Sequence, residues 1–139
     1  MTTPREPESL DRVRESCEVA ARAGWSKGGT DTVVLAVGNV LAITDAFVIT
    51  SATNPRMVRT IAEEVEAKVK SGDGVSPLSI EGLDDARWVL MDYGDFVVHI
   101  FLDEARDFYQ FDRLWADAAR WDWDSGASQP ESAARAAGE

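Results

Sequence analysis

The stretch RWVLMDYGDFVVHIF, residues 87–101, limits the fold more than any other part of the chain. Two apolar runs rich in β-branched residues flank the polar break DYGD. Such runs, joined by a short break that contains glycine, predict a β-hairpin. A two-residue turn at Tyr93-Gly94 sets the expected register. It pairs Asp92 with Asp95, Met91 with Phe96, Leu90 with Val97, Val89 with Val98 and Trp88 with His99. Val89, Met91, Phe96, Val98 and Ile100 then share one wholly apolar face. Trp88, Leu90, Asp92, Asp95, Val97, His99 and Phe101 share the other. A hairpin this apolar on both sides needs cover on both, so it belongs inside a layered domain.

The second face ends in two opposed aspartates, which repel each other unless a cation sits between them. Arg106 or Arg113 can supply that cation from within the chain, and so can a basic partner. The DYGD tip is therefore open to four readings. Its aspartates can be catalytic carboxylates, metal ligands, turn formers or part of a docking surface.

The rest of the chain builds the layers. Ser9 caps a helix expected over residues 10–23, with Leu10, Val13, Cys17, Ala20 and Ala21 on one face and Gly24 as its stop. TVVLAV (32–37) and AFVITSA (46–52) predict strands, while residues 39–43 fit either a turn or a short strand segment. Asn54-Pro55 provides a cap and a first helical residue. That helix should run to about residue 71, with Met57, Val58, Ile61, Val65 and Val69 inward, until SGDG stops it. LSIEG (78–82) reads as a short strand. Phe111, Leu114 and Trp115 lie at helical spacing in a terminal helix over residues 108–120. The order α β β α β β β α gives one α/β domain over residues 9–120, a mixed sheet of about five strands packed with helices. Residues 1–8 are expected to be a flexible start. Residues 121–139 are expected to be a disordered acidic tail, with Trp121 and Trp123 only loosely docked.

Charge and the scarcity of reactive side chains narrow the function. The chain carries 25 acidic and 14 basic residues, a net charge of −11. That balance argues against unassisted binding to a nucleic-acid backbone. No apolar run approaches the ~20 residues needed to span a bilayer. The charged start MTTPREPESLDRVRES lacks the apolar core of a secretory signal, so a cytoplasmic protein is expected. Cys17 is the one cysteine, which excludes a disulfide framework within the chain. His99 is the one histidine, too few for an ordinary zinc site, and is expected beside Trp88 in the sheet. Gly24, Gly28 and Gly29 lack the spacing of a phosphate-binding loop. Asp92, Asp95 and Asp103 can hold Mg²⁺ when substrate phosphates complete its shell, which keeps a metal-dependent nucleotidyl transferase as the alternative. That enzyme also wants a Gly-Ser phosphate-gripping turn and an Asp-x-Asp pair, and the chain has neither. No catalytic residue, metal or cofactor is expected.

Several segments together carry a resemblance: DTVVLAV, ITDAFVITSATNPRMVRTIAEEVE, PLSIEG and RWVLMDYGDFVVHIFLDEARDFYQFDRLW. The pattern D-x-G-D-x-x-V-H, followed by E-x-R-x-x-Y-x-x-x-x-L-W, resembles the ribosomal silencing factor family, also called Iojap-like. The match covers residues 31–115. It departs at Thr50-Ser51-Ala52-Thr53, where the family often has a Cys-Thr-Gly stretch, and at Ala46 and Asn54-Pro55. The resemblance implies a fold similar to nucleotidyl transferases, without catalysis. It implies docking on the large ribosomal subunit through that subunit's fourteenth protein, which blocks small-subunit joining and lowers translation when nutrients are scarce. A homodimer is also implied. On this reading Trp88, Leu90, Asp92, Tyr93, Asp95 and His99 form the partner-binding face, an acidic and aromatic surface matched to a basic ribosomal protein.

Overall fold

The structure, a computed structural model, describes residues 7–38, 41 and 43–124, with side chains from residue 10 onward. The chain order is α1 (Pro7–Ser26), β1 (Thr30–Ala36), β2 (Ala46–Ala52), α2 (Pro55–Asp73), β3 (Ser79–Glu81), β4 (Trp88–Asp92), β5 (Phe96–Leu102), α3 (Asp103–Tyr109), α4 (Phe111–Leu114) and β6 (Ala119–Trp121). The strands form one six-stranded sheet in the order β3-β4-β5-β2-β1-β6. β2 and β5 run parallel and every other pair is antiparallel. The single α/β domain and its mixed sheet agree with expectation, with a sixth strand added.

Local chemistry explains the elements. β2 is buried at all seven positions, which suits its continuous apolar and β-branched run in mid-sheet. Asn54 caps α2 by accepting the Met57 amide at 2.9 Å, with Pro55 as first helical residue. Gly74 ends α2 in the left-handed conformation (φ 72°) and donates its amide to the Lys70 carbonyl. Val58, Ile61, Ala62, Val65 and Val69 line the buried stripe of α2. Each fully buried valine or isoleucine contributes about 1.5–3 kcal/mol. α1 lies beside α2 on the same sheet face and runs the opposite way. Ser16 hydrogen-bonds Asp73 near one end, and Gly24 approaches Ile61 near the other.

Gly24 does not end α1. The helix continues to Ser26, because Gly24 is where α1 rests on Thr50 and Ile61. The chain turns instead at Gly28 (φ 93°) and Gly29. A Cβ on Gly29 would sit 2.4 Å from Thr50 Oγ1 and 2.8 Å from the Gly24 carbonyl oxygen. Glycine is therefore a packing requirement here.

The hairpin forms with a register two residues away from the expected one. Asp92 pairs with Val97, Leu90 with His99 and Trp88 with Phe101. The turn residues are Gly94-Asp95, with Tyr93 and Phe96 on either side and one bond from the Tyr93 amide to the Phe96 carbonyl, 2.9 Å. A Tyr-Gly turn of type I′ would need positive φ at tyrosine, whereas a Gly-Asp turn of type II′ needs it only at glycine. Gly94 has φ 87° and Asp95 is not among the positive-φ residues. A shift of two keeps each strand's faces unchanged. It separates Asp92 from Asp95, however, so the predicted aspartate pair does not exist. Tyr93 moves onto the helix-packed face and stacks on Phe96, ring centroids 4.7 Å apart.

The C-terminal region also differs. Residues 108–120 are not one helix but the end of α3, a kink at Gln110 (φ 54°), α4 and the start of β6. Residues 121–124 are not tail. Trp121 pairs with Val34 in the sheet, and Arg14 of α1 lies over its ring. Trp123 is buried and donates its indole N–H to the Thr32 carbonyl at 3.0 Å. Burying a large ring with its one donor satisfied outweighs the polar residues around it. The expected start at residues 1–8 falls largely, and the tail at 125–139 wholly, outside the described residues. So does most of the ambiguous stretch 39–43.

Candidate functional site: a capped aromatic sheet face

The sheet face away from α1 and α2 carries Leu35, Phe47, Ile49, Trp88, Leu90, Val97, His99 and Phe101, placed together by strand register. The segment after β5 folds back over it. Phe111 packs on Phe101 at 5.1 Å and on His99 at 4.9 Å. Trp115 meets Phe47 edge-on at 5.0 Å, and Tyr109 meets Trp88 at 5.2 Å. Arg106 fixes this cap. It is buried, grips Asp112 through two bonds of 2.9 and 2.8 Å, and donates to Ser51 Oγ on β2 at 2.7 Å. A guanidinium fork suits that geometry. The side-chain hydrogen bond from Arg106 holds the Asp112 carboxyl below the usual range. Arg106 and Arg113 thus serve the cap, Arg113 by bonding Gln110, and neither neutralises the hairpin tip.

His99 sits at the centre, buried beside Trp88 as expected. Its Nδ1 accepts the Trp88 indole N–H at 3.1 Å, and Phe47 contacts its ring edge-on at 4.5 Å. Burial pushes its pKa down to about 3. The imidazole is therefore neutral, with its proton on Nε2, and that atom has no partner among the described residues. A histidine held so far below neutrality is not a proton carrier near pH 7. It is a polar peg that orients Trp88.

The six residues expected to form the binding face divide. Trp88 and Leu90 lie on it half-buried, next to half-buried Val97. His99 lies on it but beneath the cap. Asp92 is half-buried at its edge and is a turn former, accepting the Gly94 amide at 2.8 Å. Tyr93 leaves for the opposite face, and Asp95 joins it in lining a cavity against α1 and α2. Three residues that sequence reasoning missed extend the face. Phe108, Tyr109 and Leu114 are 74%, 45% and 70% exposed on the cap. The signal was available, since Phe108 and Leu114 belong to the terminal segment, but helical spacing assigned Leu114 inward. α4 ends at Leu114, whose side chain stands in solvent.

Among the described residues, no group of histidine, cysteine, aspartate and glutamate is arranged to hold a metal ion, and no helix is long and apolar enough to cross a membrane. A broad groove of about 1100 Å³ opens beside the cap, lined by Thr30, Asp31, Asp103 and Arg120 among others. Burial, followed by the charge of Asp31, raises the Asp103 carboxyl above its ordinary value.

Comparison with known proteins adds a lineage. A family model described as ribosomal silencing factor during starvation matches residues 10–139. A Bacillus subtilis protein named ribosomal silencing factor is 35% identical over 112 residues, 81% of this chain and 94% of that one. A mouse protein named for mitochondrial assembly of the ribosomal large subunit is 32% identical over 87 residues, 61% of this chain and 38% of its own length. The crystal structure of a Chromobacterium violaceum protein superposes with a TM-score of 0.71 at 28% identity, covering 86% of this chain and 98% of that one.

Proposed function

The chain belongs to the ribosomal silencing factor family, and from that premise we propose that it docks on the large ribosomal subunit through the capped aromatic face. The partner is that subunit's fourteenth protein, and bound factor keeps the small subunit from joining. The observation that carries this reading is an exposed apolar ridge on an acidic molecule. Phe108, Tyr109 and Leu114 stand out from the cap, and Trp88, Leu90 and Val97 continue the surface along the sheet. Aromatic anchors within a polar rim are what a protein interface uses. Asp103, Glu104, Asp107, Asp112 and Asp117 surround them, all exposed. A net charge of −11 favours a basic protein over RNA phosphates and speeds the encounter. His99 acts beneath the surface by fixing the Trp88 ring. Asp92 supplies acidity at the rim and holds the turn. The mouse relative's name, which ties it to assembly of the large subunit, points to the same particle.

Occlusion needs bulk at the right place and no reaction, which suits a site without a nucleophile or a proton carrier. The nucleotidyl-transferase likeness that the resemblance implies is then read as ancestry without activity. The cytoplasm is the proposed location and a homodimer a proposed assembly. Sedimentation tests the mechanism. Purified large subunits are spun with the protein and then challenged with small subunits. Co-migration with loss of joined ribosomes is expected. Co-migration with joining intact would keep the partner and refute the occlusion. No co-migration at low salt would refute the docking itself.

A further inference from the structure

The cap breaks into two helices, and one buried side chain spans the break. Gln110 sits between α3 and α4 with φ 54° and ψ 41°. A residue with a Cβ takes that left-handed conformation at a cost, and keeps it where surrounding contacts over-determine it. Arg106 on α3 and Asp112 on α4 lie on either side of Gln110, joined by bonds of 2.9 and 2.8 Å. Residues six apart on one continuous α-helix lie about 120° apart around it and about 9 Å along it. Side chains so placed do not face each other, so this two-bond fork exists only in the bent chain.

A third bond ties the bend to the sheet, from Arg106 Nη1 to Ser51 Oγ on β2. Arg106 is buried, whereas the Asp112 side chain is 53% exposed. The clamp thus starts in the interior and reaches out to the cap surface. Phe111 and Trp115 also hold the cap down, on Phe101 and Phe47, but apolar contact is not directional. A planar guanidinium gripping a carboxylate is directional. Phe108 and Tyr109 precede Gln110 and Leu114 follows it, so the bend sets how these exposed side chains stand to one another.

We propose that Arg106 is the positioning residue of the docking ridge. Its clamp on Asp112 and Ser51 holds the bend at Gln110, and the bend lets a partner meet Phe108, Tyr109 and Leu114 at once. The purpose of the clamp rests on the docking reading, while the clamp itself is measured without ribosomes.

Two variants of the full chain test it. Arg106→Lys keeps the charge and removes the fork. Asp112→Asn keeps the shape and removes the charge at the exposed end. The amides of Gln110, Arg113 and Leu114 are hydrogen-bonded within the bend. In hydrogen exchange they should exchange at least tenfold faster in each variant, with the amides of β2 and β5 unchanged. Unchanged exchange in the bend would mean that packing alone holds it, and would overturn the clamp. Faster exchange throughout the sheet would overturn it too, because Arg106 would then only stabilise the fold. Large-subunit co-sedimentation reads the purpose. Each variant should bind about tenfold more weakly, and the double variant no more weakly than the worse single one, because both act through one contact. Losses that multiply, or a loosened bend with binding unchanged, would overturn the positioning role. A wild type that does not co-sediment refutes the docking reading and the purpose with it, and leaves the exchange result standing. Should Arg106→Lys not fold, Asp112→Asn carries both measurements alone.

Discussion

Acidification should destabilise this protein through one residue. His99 is the only histidine, and its pKa is about 3 when folded and 6.5 when exposed. Between those values the unfolded chain binds a proton that the folded chain refuses. Stability therefore rises with pH across that window and is lost as pH falls below 6.5. From about pH 7.5 to about pH 5 the difference comes to about 2 kcal/mol, and further acid increases it. Asp103 opposes this weakly, since a raised folded carboxyl pKa favours the folded state as pH falls. A control removes that ambiguity. Gln at position 99 can still accept the Trp88 indole N–H but cannot titrate. Urea unfolding at both pH values, for wild type and His99→Gln, isolates the histidine as the difference in pH dependence. A wild type whose stability changes no more than the variant's would refute the buried neutral imidazole, and with it the peg that orients Trp88.

Three other outcomes are expected. Phe108→Asp and Leu114→Asp each change an exposed side chain, so thermal melts should stay within about 0.5 kcal/mol of wild type. Large-subunit co-sedimentation should weaken about tenfold or more for at least one of them. Trp123→Ala should destabilise by about 3–5 kcal/mol in urea unfolding, because it empties a core position and orphans the Thr32 carbonyl. A loss near zero would return residues 121–124 to a dispensable tail. Gly29→Ala should cost about 1–3 kcal/mol by the same assay, given a Cβ 2.4 Å from Thr50 Oγ1.

Much of this fold was legible where its causes are local. The bounds of β2 at residues 46–52 follow from one β-branched run. The start of α2 follows from Asn54-Pro55 and its stop from the glycine at position 74. The division of the hairpin into two faces also survived, because side chains alternate along a strand whatever the register. The register itself was misread. Tyr93-Gly94 and Gly94-Asp95 are both two-residue turns on paper, and only the φ each demands separates them. Half of the candidate face was found in the same way. Trp88 and Leu90 lie where alternation puts them, while Phe108, Tyr109 and Leu114 stand exposed on a segment that reads as one helix and folds as the end of α3, α4 and the start of β6.

The sequence by itself determined the layered α/β class, the acidic balance, the single histidine and single cysteine, and the family to which these motifs belong. Each depends on residue type, spacing and charge, which need no knowledge of what touches what. Tertiary structure alone decided the rest. A β6 of three residues has too weak a local preference to announce itself, and it forms because Trp121 and Trp123 find a sheet edge and a core position. His99 is neutral because Phe47, Phe111 and Trp88 surround it from three separate elements. The aspartates at the hairpin tip part company because Tyr93 gains more by stacking on Phe96 under the helices than by taking a strained place in the turn. Burial is a property of several elements at once, and it is burial, together with the φ that the turn demands at Gly94, that set the register, and burial that set the protonation and the division of the DYGD tip between two faces.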